Sequence, residues 1–313
     1  MLKNAALSGP FATQIIHEPI KDKDHGLLPR WAHALLGRGS RMRCHHQSPA
    51  YGRSSWRLCN DLGELRGPRL DIGRPRGIPD EGCLAISVGI GNSWEFEDAL
   101  TALGCTVHAF DPTFELHKAH IKHVHNRPRL HFYHAGLQGT IPRSRTANAK
   151  DGNDAGLYGS TSKSRMYPLD ELFRLARAGR ERQVVDVLKI DCEGCEWDAF
   201  TDIAQRKPAL LASVQHLLLE LHLTPRYGLR SVAQLNLLMS HLVEQHGFRL
   251  FRKPKRNRGF PWARNETLPE LTRAGLDPIA CCTELHFSRP NHSVAFRSHA
   301  EWLARMDPAY APT

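Results

Sequence analysis

Two glycines, an asparagine and an acid set the chemistry of this chain. Gly89, Gly91 and Asn92 follow the apolar run Leu84, Ile86, Val88, and Asp111 ends the next one, Val107, Ala109, Phe110. Glycines let a backbone turn sharply and approach a ligand with no Cβ in the way. The helix after Asn92 offers free N–H groups and a positive dipole end to a carboxylate or phosphate. An acid about 20 residues past such a turn can accept hydrogen bonds from both hydroxyls of a ribose. This is the logic of an adenosine site, used by nicotinamide dinucleotides and by S-adenosylmethionine. A dinucleotide turn wants a third glycine where Trp94 stands.

A second group lies downstream. Asp191, Glu193 and Glu196 crowd the start of one helix in VVDVLKIDCEGCEWDAF (184–200), and Glu220 and His222 close VQHLLLELHL (214–223). Residues two apart on a strand share a side, so Glu220 and His222 point the same way. For Glu196 the expected role is helix capping. Asp191 and Glu193 stand where open α/β sheets bind ligands. Cys192 and Cys195 form a C-x-x-C, but a zinc site needs a second pair, and Cys281-Cys282 lacks the spacing. Both cysteines are expected to be unmetallated and dispensable. His117, His120 and His123 share a helix face without an acid or cysteine to complete a metal set, and a solvated face is expected. No metal is expected anywhere.

The elements that position these groups alternate. Phe96, Ala99, Leu100 and Leu103 make a helical stripe closed by Gly104, and RLHFYHAGL (129–137) reads as a third strand. Residues 138–166 are polar, Gly/Ser-rich and aperiodic, a flexible insertion. Leu169, Leu172, Phe173 and Ala176 give the next helix, Val184–Ile190 a central strand, and Ser231 to Gly247 a last helix. FRLF (248–251) and CCTELHFSR (281–289) follow with no helix between them and predict a terminal antiparallel hairpin. Residues 1–80 read as an irregular lead-in that packs near Trp56, 81–290 as the catalytic domain, and 291–313 as a tail.

A chain of 313 residues with 41% hydrophobic residues can bury a sizeable core. The net charge of +10 is spread along the chain, with one tight run at 252–258, so nucleic acid is not the expected partner. No apolar run is long enough to span a membrane. Eight cysteines in this length suggest reduced thiols and a cytoplasmic chain as it stands, or a secreted one if a leader precedes it.

Taken together, these segments resemble the class I S-adenosylmethionine-dependent methyltransferases, and more closely the methyltransferase-like protein 24 group, related to the FkbM methyltransferases. The carriers are Trp56-Arg-Leu-Cys59, CLAISVGIGNSWEFEDAL, CTVHAFDPT, LLLELHL, TELHFS and the signature K-I-D-x-E-G-x-E, met at Lys189, Ile190, Asp191, Glu193, Gly194 and Glu196. The glycine loop departs from the pattern, with Ser93 at its third glycine site. The resemblance implies a Rossmann-like seven-stranded sheet with helices on both faces and an antiparallel last strand. It implies that Gly89, Gly91 and Asn92 flank the methionine end of S-adenosyl-L-methionine, that Asp111 holds the ribose, and that Phe110 and Pro112 lie on the adenine side. Asp191, Glu193, Glu220 and His222 would line the acceptor pocket, for a hydroxyl of a small molecule or glycan. His222 is then the first candidate base and Asp191 the second. The competing readings are an NAD(P)-dependent oxidoreductase and a non-catalytic cofactor-binding module.

Overall fold

In the computed structural model the described residues are 56–59, 83–139, 165–177, 184–223, 232–252 and 282–289. The first half runs β1 (Leu84–Val88), α1 (Glu95–Ala102), β2 (Thr106–Phe110), α2 (His117–Val124), β3 (Leu130–Tyr133) and β4 (Ala135–Leu137). The second runs β5 (Arg165–Tyr167), α3 (Leu169–Arg177), β6 (Val185–Ile190), α4 (Cys195–Arg206), β7 (Val214–His222), α5 (Val232–Met239), β8 (Arg249–Arg252) and β9 (Cys282–Ser288).

Seven strands form one sheet in the order β3-β2-β1-β6-β7-β9-β8. All residues of β1 and β6 are buried, as strands covered on both faces must be. Their side chains alternate between two cores. Leu84, Ile86, Val88, Leu188 and Ile190 pack with α3, α4 and α5, while Ala85 and Val187 pack with Phe96 and Leu100 of α1. Neighbours are parallel from β3 through to β7, and β9 runs antiparallel to both β7 and β8. The hairpin expected from the last two apolar runs therefore forms, with β9 inserted between β7 and β8. The fold is Rossmann-like, with an antiparallel last strand. Trp56, 1% exposed, lies over this sheet, its ring 6.4 Å from that of Phe96 and 5.3 Å from that of His286.

Three expectations need correction. The run 129–137 is two strands, broken at His134, whose Nε2 lies 3.2 Å from the Pro112 carbonyl oxygen. Beyond the break, β4 leaves the main sheet and pairs in parallel with β5. Arg165 and Met166, assigned to the flexible insertion, thus belong to a strand, and residues 140–164 lie outside the described ones. The histidine face of α2 is not solvated: His120 is buried and takes the Trp94 indole N–H at 3.1 Å, and His123 stacks on the same indole. Asp98 of α1 also lies 2.9 Å from the His123 ring. The face is polar because it meets an indole and a carboxylate rather than an aliphatic core.

Nor are the described cysteines reduced. Cys83 and Cys105, just ahead of β1 and β2, are bridged, as are Cys192 and Cys195, and Cys59 and Cys282 are also disulfide-bonded. Among the described residues no helix is long and apolar enough to cross a membrane.

Candidate functional site

From β1 the chain runs outward through β2 to β3, then returns to β6 on the other side. Strand order reverses there, and the carboxyl ends of β1, β2 and β6 frame the crevice that open α/β sheets use for ligands. A cavity of about 330 Å³ opens at this point. Gly89, Gly91, Asp111, Pro112, Asp191 and Glu193 line it, together with Thr113, Leu137, Met166 and Cys192. Six of the ten residues singled out from the sequence thus share one wall. Of the other four, Asn92 is exposed beside the turn. Phe110 is fully buried in the core, outside the cavity lining, and stacks on Tyr133 with ring centroids 4.6 Å apart. Glu220 and His222 lie outside the lining, behind Asp191 and Glu193.

The glycine turn is built by its neighbours. Gly89 donates to the Phe110 carbonyl at 2.9 Å and adopts φ +80. Lys189, buried in β6, donates from Nζ to the Gly89 carbonyl and lies 3.9 Å from Glu97. Glu97 in turn accepts from the Ser87 hydroxyl at 2.5 Å. This support was missed from the sequence, although Lys189 heads the signature.

Asp111 is also tied to the turn itself. Its Oδ2 accepts from Ile90 N and Gly91 N, both at 2.9 Å, and its Oδ1 from Thr113 N at 2.8 Å. A carboxylate offers about four lone-pair directions. Three are taken by backbone, which leaves about one open toward the cavity. It shapes the turn first.

The acid cluster is likewise organised from behind. Glu193, at φ +56, and Gly194, at φ +101, turn the chain from β6 into α4 and raise Glu193 to the mouth, its side chain 56% exposed. Glu196 is fully buried. Its Oε2 takes Gly194 N at 2.9 Å, and its Oε1 takes His222 N at 2.8 Å and faces His222 Nδ1 at 2.9 Å. The capping expected of Glu196 is there, and so is a grip on His222 that sequence spacing did not suggest. The other imidazole nitrogen, Nε2, lies 3.3 Å from Glu193 Oε2.

These contacts fix charge states. Although burial opposes it, the flanking Glu196 and Glu193 hold the His222 pKa well above the ordinary imidazole value. Burial raises Asp191, countered in part by Lys189 and His222. Glu220 follows Leu219, the β7 partner of Ile190, and so comes within electrostatic reach of Asp191, and it faces Glu284 on β9. Burial first, then Asp191, push it up to about 8. A carboxyl raised in the folded state loses stability as pH climbs from its unfolded value near 4.5 to about 8. Glu220→Gln should therefore match wild type at pH 4.5 and exceed it by roughly 1–3 kcal/mol at pH 8.5 in denaturant titrations with chelator present. A difference that does not vary with pH would contradict this assignment.

A family model described as a methyltransferase domain matches residues 63–258, more than half of the chain, and the chain belongs to that family. Curated proteins yield no match.

Proposed function

We propose that this protein is an S-adenosylmethionine-dependent methyltransferase acting on oxygen, with a small-molecule or glycan hydroxyl as acceptor. The observation that carries the reading is the convergence of the glycine turn, Asp111 and Asp191 on one cavity at the switch point, in a chain of a methyltransferase family. The residues fit the cofactor. A Cβ built on Gly91 meets nothing within 4 Å, so the turn leaves open space against the cavity. The volume falls at the low end of the range for small-molecule sites. The first turn of α1 carries Glu95, Glu97 and Asp98 and follows Trp94, a setting unfavourable to a pyrophosphate and tolerant of an ammonium group. This weighs against the nicotinamide reading. The signature from Lys189 to Glu196 supports kinship with the methyltransferase-like protein 24 group as part of the same proposal.

When bound, S-adenosylmethionine supplies a methyl on a cationic sulfur; the acceptor oxygen takes the methyl and the carbon–sulfur electron pair returns to sulfur. Gly89, Gly91 and Asn92 hold the methionine end, Asp111 one ribose hydroxyl, and Pro112 with Met166 the apolar side. Asp191 takes the proton leaving the acceptor, since it lines the cavity and its burial raises its basicity. His222 was the first candidate from sequence, but a protonated imidazole between two carboxylates has no lone pair to offer. Its part is to hold Glu193 and balance charge. Glu220, protonated below about pH 8, supports the wall.

The test follows transfer of labelled methyl from S-adenosylmethionine to a pool of hydroxylated acceptors. Asp191→Asn should lower turnover by about 10²–10⁴-fold, the contribution of a positioned base. It should also weaken cofactor affinity, because a negative charge near the sulfonium is lost. Undiminished turnover in that variant would remove Asp191 from the mechanism.

A further inference from the structure

We propose that Asp191, Glu193 and His222 form a divalent-cation site in the inner wall of the cavity, suited to a first-row divalent ion such as Mn²⁺. One donor atom from each of the three lies within 4.8 Å of the other two. Two ligands each about 2.1 Å from an ion, at right angles, stand roughly 3 Å apart. The His222 Nε2 to Glu193 Oε2 distance of 3.3 Å is already close to that spacing, and the ion takes the place of the proton held between them, which is released on binding.

The way His222 is held is a second, independent observation. A metal-binding imidazole presents one nitrogen to the ion and gives its other N–H to a carboxylate, which fixes ring and tautomer. His222 is 1% exposed, its Nδ1 is held by Glu196 at 2.9 Å, and its Nε2 meets Glu193, with Asp191 in the same donor grouping. Glu196 is itself immobilised by Gly194 N and His222 N. Both Asp191 and Glu193 border the cavity, so an ion on them keeps positions open to a small oxygen ligand.

Charge points the same way. Asp191, Glu193 and Glu196 gather about one imidazole, and the ammonium of Lys189 is directed to the Gly89 carbonyl and Glu97. A divalent ion offsets the excess. The other donor groupings at this edge depend on Cys192, Cys195 or Cys282, which are disulfide-bonded and have no thiolate to give. Two carboxylates and one imidazole suit Mn²⁺ or Zn²⁺ better than a soft ion. This departs from the expectation, drawn from the sequence, that no metal is bound.

The role of the ion, unlike its site, rests on the methyl-transfer reading. An acceptor hydroxyl on an open position becomes more acidic. Its proton passes to the Asp191 oxygen not engaged by the ion.

The test uses the full chain, stripped with chelator and dialysed, and titrated with MnCl₂ alone while free Mn²⁺ is followed by electron paramagnetic resonance. One Mn²⁺ per chain is expected, with affinity lowered about tenfold or more in Glu193→Gln and Asp191→Asn, and about 10–100-fold in Glu196→Gln. Glu193 is at the surface, so its variant keeps the fold, which circular dichroism checks. Absence of binding, or stoichiometric binding equal in wild type, Glu193→Gln and Asp191→Asn, would overturn the site. S-Adenosylhomocysteine binding is measured in parallel. A chain that binds it but not Mn²⁺ loses the cation site and keeps the methyl-transfer reading, and the reverse result keeps the site alone.

Discussion

Gly89→Ala should abolish cofactor binding and cost the fold more than about 4 kcal/mol, the range reserved for severe steric lesions. A Cβ at this position would sit 1.6 Å from the Asp191 carbonyl oxygen and 2.7 Å from its carbonyl carbon. Both are backbone, which cannot swing aside as a side chain does. The ends of β1 and β6 are also tied by Asp191 N donating to the Val88 carbonyl at 3.0 Å. To admit the methyl the strands must part where the cavity forms, and the φ of +80 adds strain. Gly91→Ala is the control. Its φ is +56 but no heavy atom lies within 4 Å, so it should cost only the ~1–2 kcal/mol of a left-handed alanine. Its methyl enters the open space beside the cavity, so affinity for S-adenosylhomocysteine should fall without unfolding. Denaturant titration and calorimetry of both variants read the contrast. Equal stability of the two would contradict the packing described.

Asp111→Ala should lose both stability and cofactor. Three backbone N–H groups, of Ile90, Gly91 and Thr113, lose a charged acceptor. At ~1.5–3 kcal/mol for each such bond, partly recovered by water, the fold should lose about 3 kcal/mol or more. Asp111→Asn keeps the shape but offers one oxygen, so it should fall between wild type and alanine. A residue that served the ribose alone would lose affinity and leave the melting temperature unchanged. Calorimetric binding and thermal unfolding on the same samples separate the two roles.

Much of this was legible because apolar runs must stop where polar groups begin. The runs ending at Val88, Phe110 and Ile190 mark three parallel strands, so Gly89, Asp111 and Asp191 had to meet at one edge. The antiparallel close of the sheet followed from two strands with no helix between them. What stayed hidden depends on partners remote in sequence. Glu196 looks like a cap because its N-terminal place explains it locally, while its second partner, His222, lies 26 residues on. The same contact raises the basicity of His222, which is why Asp191 is the base we propose. Met166 reaches the cavity only because β5 pairs with β4 across the insertion. The α2 histidines read as solvated until Trp94 is seen packed against them. Disulfide pairing requires proximity that composition cannot supply, as with the Cys83 and Cys105 Cα atoms, 4.3 Å apart.

We propose that the cavity between Gly89, Asp111 and Asp191 takes the S-adenosyl group. This assignment is tested most directly by thermal unfolding of the wild-type chain with S-adenosylhomocysteine, with NAD, and with neither. At 100 times its dissociation constant a ligand stabilises by about 2.7 kcal/mol. S-Adenosylhomocysteine should give a shift of that size, Gly91→Ala should lose it, and NAD should give none. A shift with NAD alone, or one with S-adenosylhomocysteine that survives intact in Gly91→Ala, would contradict the account.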